Sequence, residues 1–260
     1  PTVAYTPMAT GHDDYRCFVI DPALAAPTFI TGYDVEPGVR SLVHHVVLTL
    51  ADRSAAIAHD AQTADPGWPC FGNTALASAG AFGAWAPGTV ATIFPNGTGA
   101  KISQNQVVIM QVHYNTKSAA PAPDRTHIKL MYDASNVTEA YLIELSDHDF
   151  SIPPNTSHYS VSKTFENPYA FPLKIWGMAP HMHLLGKQIT FEATVGHCLI
   201  DIPAWDFHWQ QHYFRSEPYL LGPGQSVKLT CTWNNNTNQL VMPGQNSTDE
   251  MCLVLVYATP

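Results

Sequence analysis

Short runs of β-branched and aromatic residues recur along the chain, each bounded by turn-forming residues. They include Phe18-Val19-Ile20, Ser41 to Leu50, Val107 to Tyr114, His127 to Tyr132, Lys174 to Met178, Gln188 to Val195, Ser226 to Trp233 and Cys252 to Tyr257. Every run is strand-sized. The 21 prolines and 16 glycines are scattered rather than clustered, which leaves little room for long helices. The pattern predicts an all-β chain of the β-sandwich or jelly-roll kind. The turn-rich stretch Asp133-Ala134-Ser135-Asn136 is the expected boundary, giving domains 1–135 and 136–260. The Ala-rich segment Ala51 to Ala84 shows no alternation and is expected to form long loops with at most a helical turn. No repeat at a fixed period is present.

Composition narrows the function classes. A 260-residue chain with 45% hydrophobic content can bury substantial cores. With 13% charged residues and a net charge of −9 it lacks a basic surface for phosphate backbones, so nucleic acid is excluded as a partner. No apolar run approaches the roughly 18 residues of a membrane span. The chain starts Pro1-Thr2, so any export signal is expected to have been removed or to lie outside this sequence. Five cysteines and the sequons at Asn96, Asn136, Asn155, Asn235 and Asn246 favour a secreted or periplasmic, extracytoplasmic location. Five is odd, so at most two disulfides form and one thiol is left over.

Five of the 13 histidines sit where they can hold a metal: His44-His45, His113 and His181-Met182-His183. In a strand, residues i and i+2 share a face, so His181 and His183 can chelate one ion. Neighbouring His44 and His45 would face opposite sides of an ideal strand and need a local twist to share an ion. Each pair alone also reads as ordinary core or surface histidines, and His113 alone as a satisfied core residue. Together in one half, His44, His45 and His113 make a three-imidazole set. In the other half, Met251 precedes an apolar strand and by itself is ordinary core filler. Beside two imidazoles, however, its thioether would favour Cu(I).

These motifs, with Gln111-Val112-His113-Tyr114, His181-Met-His183-Leu-Leu-Gly186-Lys187 and Asp249-Glu250-Met251-Cys252 in this order, resemble the copper type II ascorbate-dependent monooxygenases. That is the group of peptidylglycine α-hydroxylating monooxygenase and dopamine β-monooxygenase. The resemblance implies a fold of two antiparallel β-sandwich, jelly-roll-like domains, and two copper ions per chain facing each other across a cleft. An electron-transfer copper would be held by His44, His45 and His113, and an oxygen-binding copper by His181, His183 and Met251. It further implies disulfides Cys17–Cys70 and Cys231–Cys252, leaving Cys198 over. Gln111 could line the cleft, and Tyr15 could pack near the first copper. The implied reaction is hydroxylation of an aliphatic C–H bond of a small or peptide-like substrate by O2, with ascorbate or a similar one-electron reductant.

The peptide-amidating branch grips a substrate carboxylate with an Arg and a Tyr, and the corresponding positions here are Ala179 and Leu255. The expected pocket is therefore apolar, walled by Ala179, Leu253, Leu255 and Met178, and a glycine-extended peptide is disfavoured. No carboxylate in this region is identified as a partner for an ammonium group. The aromatic run Trp205 to Tyr213 could wall the cleft or pack a loop. Three alternatives stand beside this reading: a non-catalytic copper-handling protein, a zinc hydrolase using Glu250, and a recognition module with incidental histidines.

Overall fold

The structure is a computed structural model describing residues 1–8, 13–71, 73–95, 97–116, 119–194 and 196–260. Asn96 of one sequon and Val195 at the end of one expected strand lie outside these residues. The chain forms two compact units, Pro1–Glu139 and Ala140–Pro260. Each pairs two predominantly antiparallel sheets, the β-sandwich architecture that the strand pattern predicts.

The first unit contains β1 (Asp14–Ile20), β2 (Thr28–Glu36), β3 (Val43–Asp52), α1 (Arg53–Asp60), β4 (Trp68–Pro69) and β5 (Ser78–Trp85). It continues with β6 (Thr92–Ile93), β7 (Thr98–Ile102), β8 (Gln106–Tyr114), β9 (His127–Asp133) and β10 (Thr138–Glu139). One sheet runs β4-β1-β8-β3-β5 and the other β10-β7-β2-β6, with β9 also on β2. Pairing of β10 with β7 keeps Thr138 and Glu139 in this unit, beyond the boundary expected after residue 135. Tyr33 of β2 packs edge-on against Phe82 of β5 and Phe94. On the outer side of β8, Val107 and Ile109 pack with Ala56 of α1, Trp68 and the Cys17–Cys70 bridge. Residues 107–110 are consequently fully buried on both faces of one strand, which is why they read as an unbroken apolar run.

The segment expected to be looped, Ala51 to Ala84, instead holds α1 and most of β5. Asp52 caps α1, accepting from the Ala55 amide at 2.9 Å. Strand β5 owes its conformation to ladder hydrogen bonds with β3 rather than to β-branched side chains. Tertiary pairing overrides a poor intrinsic strand sequence there.

The second unit contains β11 (Tyr141–Asp147), β12 (Thr156–Glu166), β13 (Leu173–His181), β14 (Gly186–Ala193) and β15 (His197–Ile202). It ends with β16 (Tyr213–Leu221), β17 (Ser226–Asn235) and β18 (Cys252–Thr259). Its sheets run β11-β18-β13-β16 and β12-β17-β14-β15. Alternate residues of β13, β14, β17 and β18, among them Met178, Phe191, Trp233 and Val254, fill the space between them. Cys231 of β17 and Cys252 of β18 join the two layers. Asn235 is buried, and its amide donates to the Ile152, Pro153 and Gln239 carbonyls. That sequon has no free amide to carry a glycan in the folded chain. Cys198 is an exposed free thiol on β15.

Replacing both Cys231 and Cys252 by Ala opens a loop spanning 21 residues, with an expected loss of about 3 kcal/mol by urea denaturation. Cys198→Ser, which touches no bridge, is expected to stay within about 0.5 kcal/mol of the parent.

Candidate metal centres

In the first unit the two neighbouring histidines are brought to one place by an irregularity in the ladder. Between β3 and β8 the register passes from Val43↔Tyr114 to His45↔His113, so two residues of β3 stand opposite one step of β8. This is a β-bulge, and it supplies the local twist that adjacent histidines need. His44 Nδ1 lies 3.3 Å from His45 Nδ1, and His113 Nδ1 lies 3.1 Å from the same atom. One ligand nitrogen from each ring falls within 4.8 Å of the others. Two imidazole nitrogens bound at about 2.0–2.1 Å to one ion, and subtending about 100°, stand roughly 3.2 Å apart. The donor set fits a transition-metal ion.

Tyr15 of β1 is the register partner of His113 and stacks on its ring at 4.1 Å with planes 8° apart. The far nitrogen of His113, Nε2, makes no hydrogen bond among the described residues, but the buried Asp13 carboxylate stands 3.5 Å away. A carboxylate there favours the tautomer with the proton on Nε2, leaving the Nδ1 lone pair for the cluster. Gln111 shares a strand with His113, and its amide donates to the Cys70 carbonyl at 2.7 Å.

In the second unit His181 is the last residue of β13, whereas His183 lies beyond the strand, in the turn leading to β14. The i, i+2 pair therefore spans a strand end, with Met182 buried between and the imidazole centroids 5.1 Å apart. The turn is pinned by Glu250, which has no exposed surface. Its carboxylate accepts from the backbone N–H of His183 at 2.9 Å and of Leu185 at 2.6 Å, from the Trp233 indole at 2.8 Å and from the Met251 N–H at 3.3 Å. Burial pushes its pKa up to about 7, and these donors pull against that rise. So enclosed a carboxylate is a structural tie rather than a base open to substrate, which removes the role that a zinc hydrolase would ask of it.

Each imidazole is also oriented from behind. His183 Nδ1 donates to the Asp249 carbonyl at 3.1 Å, which puts the ring proton on Nδ1. His181 Nδ1 meets Gln210 Oε1 at 2.6 Å, and the Gln210 amide nitrogen donates to the Phe207 carbonyl at 2.8 Å. That second bond fixes which way the amide faces, so His181 must donate from Nδ1, which leaves its Nε2 unprotonated. Burial, followed by the proximity of His183, lowers the His181 pKa to about 4. The imidazole is thus neutral near pH 7 and offers a lone pair. Phe207 lies edge-on to His183, and the Trp205 indole donates to the His183 carbonyl. The aromatic run Trp205 to Tyr213 therefore supports the histidines directly.

Met251 immediately precedes β18, two residues before Leu253, which is the register partner of His181. Ala179 and Leu255 are also register partners and share with His181 and Leu253 the face of β13 and β18 turned away from the core. Met178 lies on the opposite face, in the core. Gln210 and Asp13 were not recognised as site residues from sequence, because nothing local to either marks its distant histidine partner.

Removing the amide brace with Gln210→Leu is expected to weaken Cu(I) at the His181/His183 pair about 10–100-fold in a competitive chelator titration. Gln210→Glu, which keeps an acceptor, is expected to stay near native affinity. Asp13→Ala is expected to weaken the three-histidine set over the same range and leave the other unit unchanged.

Residues 137–259 match the sequence family described as copper type II ascorbate-dependent monooxygenase, C-terminal domain. Among solved structures, the chain is similar to the major capsid protein P2 from bacteriophage PM2, with 9% identity, coverage of 99% of this chain and 96% of that one, and a TM-score of 0.37. It is also similar to PBCV-1 VP54 fitted into a reconstruction of the virophage Sputnik, at 12% identity, 98% and 91% coverage and a TM-score of 0.30. These distant likenesses carry no argument about function. His181, His183, Glu250 and Met251 all lie within the stretch that matches the copper monooxygenase family.

Proposed function

We propose that the chain is a two-copper monooxygenase that hydroxylates an aliphatic C–H bond of a small or peptide-like substrate with O2 and a one-electron reductant of the ascorbate class. The observation that carries this reading is the pair of separately braced imidazoles of His181 and His183, inside the stretch that matches the copper monooxygenase family. His181, His183 and Met251 would hold one copper, and His44, His45 and His113 a second. Copper bound in such sites supplies one-electron redox chemistry and O2 activation.

The protein's own part is to bind and to orient. Gln210 and the Asp249 carbonyl fix the proton of each imidazole on Nδ1, so that Nε2 of each would be the atom that holds the copper. Glu250 ties the His183 turn to the backbone that carries Met251, which limits how far that set can drift. Ala179, Leu253 and Leu255 offer the substrate an apolar floor beside His181, on which water is poorly held. In the first unit, Asp13 and Tyr15 hold the His113 ring in place. The two disulfides suit an oxidising compartment, and we assign the protein outside the cytoplasm.

Copper stoichiometry combined with X-ray absorption on the ascorbate-reduced chain, native against Met251→Ile, tests this reading without knowledge of the substrate. The expected result is two coppers per chain and a sulfur scatterer that disappears in the variant. One copper or none, or sulfur that persists, overturns the ligand assignment. Two coppers with no oxygen uptake on any apolar substrate would favour the copper-handling alternative.

A further inference from the structure

Three consecutive residues ahead of β18 serve the turn that carries His183. The Asp249 backbone carbonyl accepts from His183 Nδ1, the Glu250 carboxylate accepts from the His183 and Leu185 N–H groups, and Met251 is the proposed thioether ligand. Of these, the Asp249 carbonyl is the easiest to lose. A peptide carbonyl swings aside by rotation about the soft φ and ψ dihedrals that flank it. Whatever fixes the Asp249 peptide therefore decides whether His183 keeps its acceptor.

The fixing contacts lie in residues 242–250. The Asp249 N–H donates to the Asn246 carbonyl at 2.9 Å, closing a β-turn over residues 246–249. The same two residues are joined in the opposite sense. Asp249 Oδ2 accepts from the Asn246 backbone N–H at 3.1 Å and from the Asn246 side-chain amide at 2.8 Å. At the base of the turn the Gly244 N–H donates to the Glu250 carbonyl at 3.2 Å, and the Glu250 N–H donates to the Met242 carbonyl at 3.1 Å. Gly244 makes room for this arrangement. A Cβ at that position would stand 2.3 Å from Asp249 Oδ2 and 2.7 Å from its Cγ, closer than such atoms approach, so any other residue there displaces the carboxylate.

We infer that Gly244, Asn246 and Asp249 form a clasp that positions His183 for copper, a role that rests on the copper reading above. The clasp holds the Asp249 carbonyl behind the imidazole and so keeps the ring proton on Nδ1. With that acceptor turned away, the neutral ring is free to carry its proton on either nitrogen, and a proton on Nε2 removes the lone pair there. Asn246 also opens the sequon Asn246-Ser247-Thr248, and the clasp gives this asparagine a part in the fold that needs no glycan.

The test uses the full chain in two forms. Heteronuclear NMR of the metal-free protein with isotope-labelled histidine reads the His183 tautomer, its signal assigned from a His183→Gln control. A chelator competition reads Cu(I) affinity at the His181/His183 pair. Gly244→Ala and Asp249→Ala are each expected to turn a single Nδ1–H tautomer into a mixture and to weaken Cu(I) about 10-fold, with the three-histidine set unchanged. Asp249→Asn, which keeps an oxygen for both donors, is expected to restore the native tautomer and to stay within about 3-fold of native affinity. Should Gly244→Ala not fold, Asn246→Ala on the exposed side of the turn decides by the same readout, with a smaller mixed population expected. A His183 tautomer that stays single in these alanine variants overturns the clasp, even where stability to urea falls. A mixed tautomer with unchanged Cu(I) affinity upholds the clasp and counts against His183 as a copper ligand instead.

Discussion

One buried carboxylate organises the second unit's site. Glu250 gathers N–H donors from the turn after β13, from the indole on β17 and from the start of β18. Burying a charge without partners is costly, and removing any one donor would leave the rest holding an under-satisfied group. The turn that presents His183 and the backbone that carries Met251 are thereby locked to a common atom pair. The Cys231–Cys252 bridge closes the same region from the next residue along. Geometry at the histidines follows from this tie more than from the strand that bears His181.

Short apolar and β-branched runs made the strands and the all-β class legible: Val227, Leu229, Cys231 and Trp233 of β17 bury themselves at period 2, and Val107 to Met110 of β8 form an unbroken buried run. Sequence misjudged β5, where small residues adopt a strand because β3 offers a ladder. Alternation also hid the sides: Met178 was grouped with Ala179 as a pocket wall, but consecutive strand residues face opposite ways, and Met178 entered the core.

The candidate ligands stood out because imidazoles inside apolar strands are conspicuous. Their supports did not. Gln210 and His181 are 29 residues apart, and Asp13 is separated from His113 by the whole fold of the first unit. Nothing in the local pattern of a Gln in an aromatic loop, or an Asp before a strand, announces such a partner.

The irregularity between β3 and β8 gives the first unit's cluster an unusual kind of encoding. Two residues of one strand occupy the space of a single step on its neighbour, so both imidazoles reach the same side. Losing one residue between Val43 and Val46 would restore an even ladder and leave every remaining pair intact, yet the convergence of rings would be gone. The site is thus written in the length of the chain as much as in its letters. A lineage carrying such a deletion could keep every histidine-rich signature but one and a well-folded sandwich, while shedding the geometry on which three converging imidazoles depend.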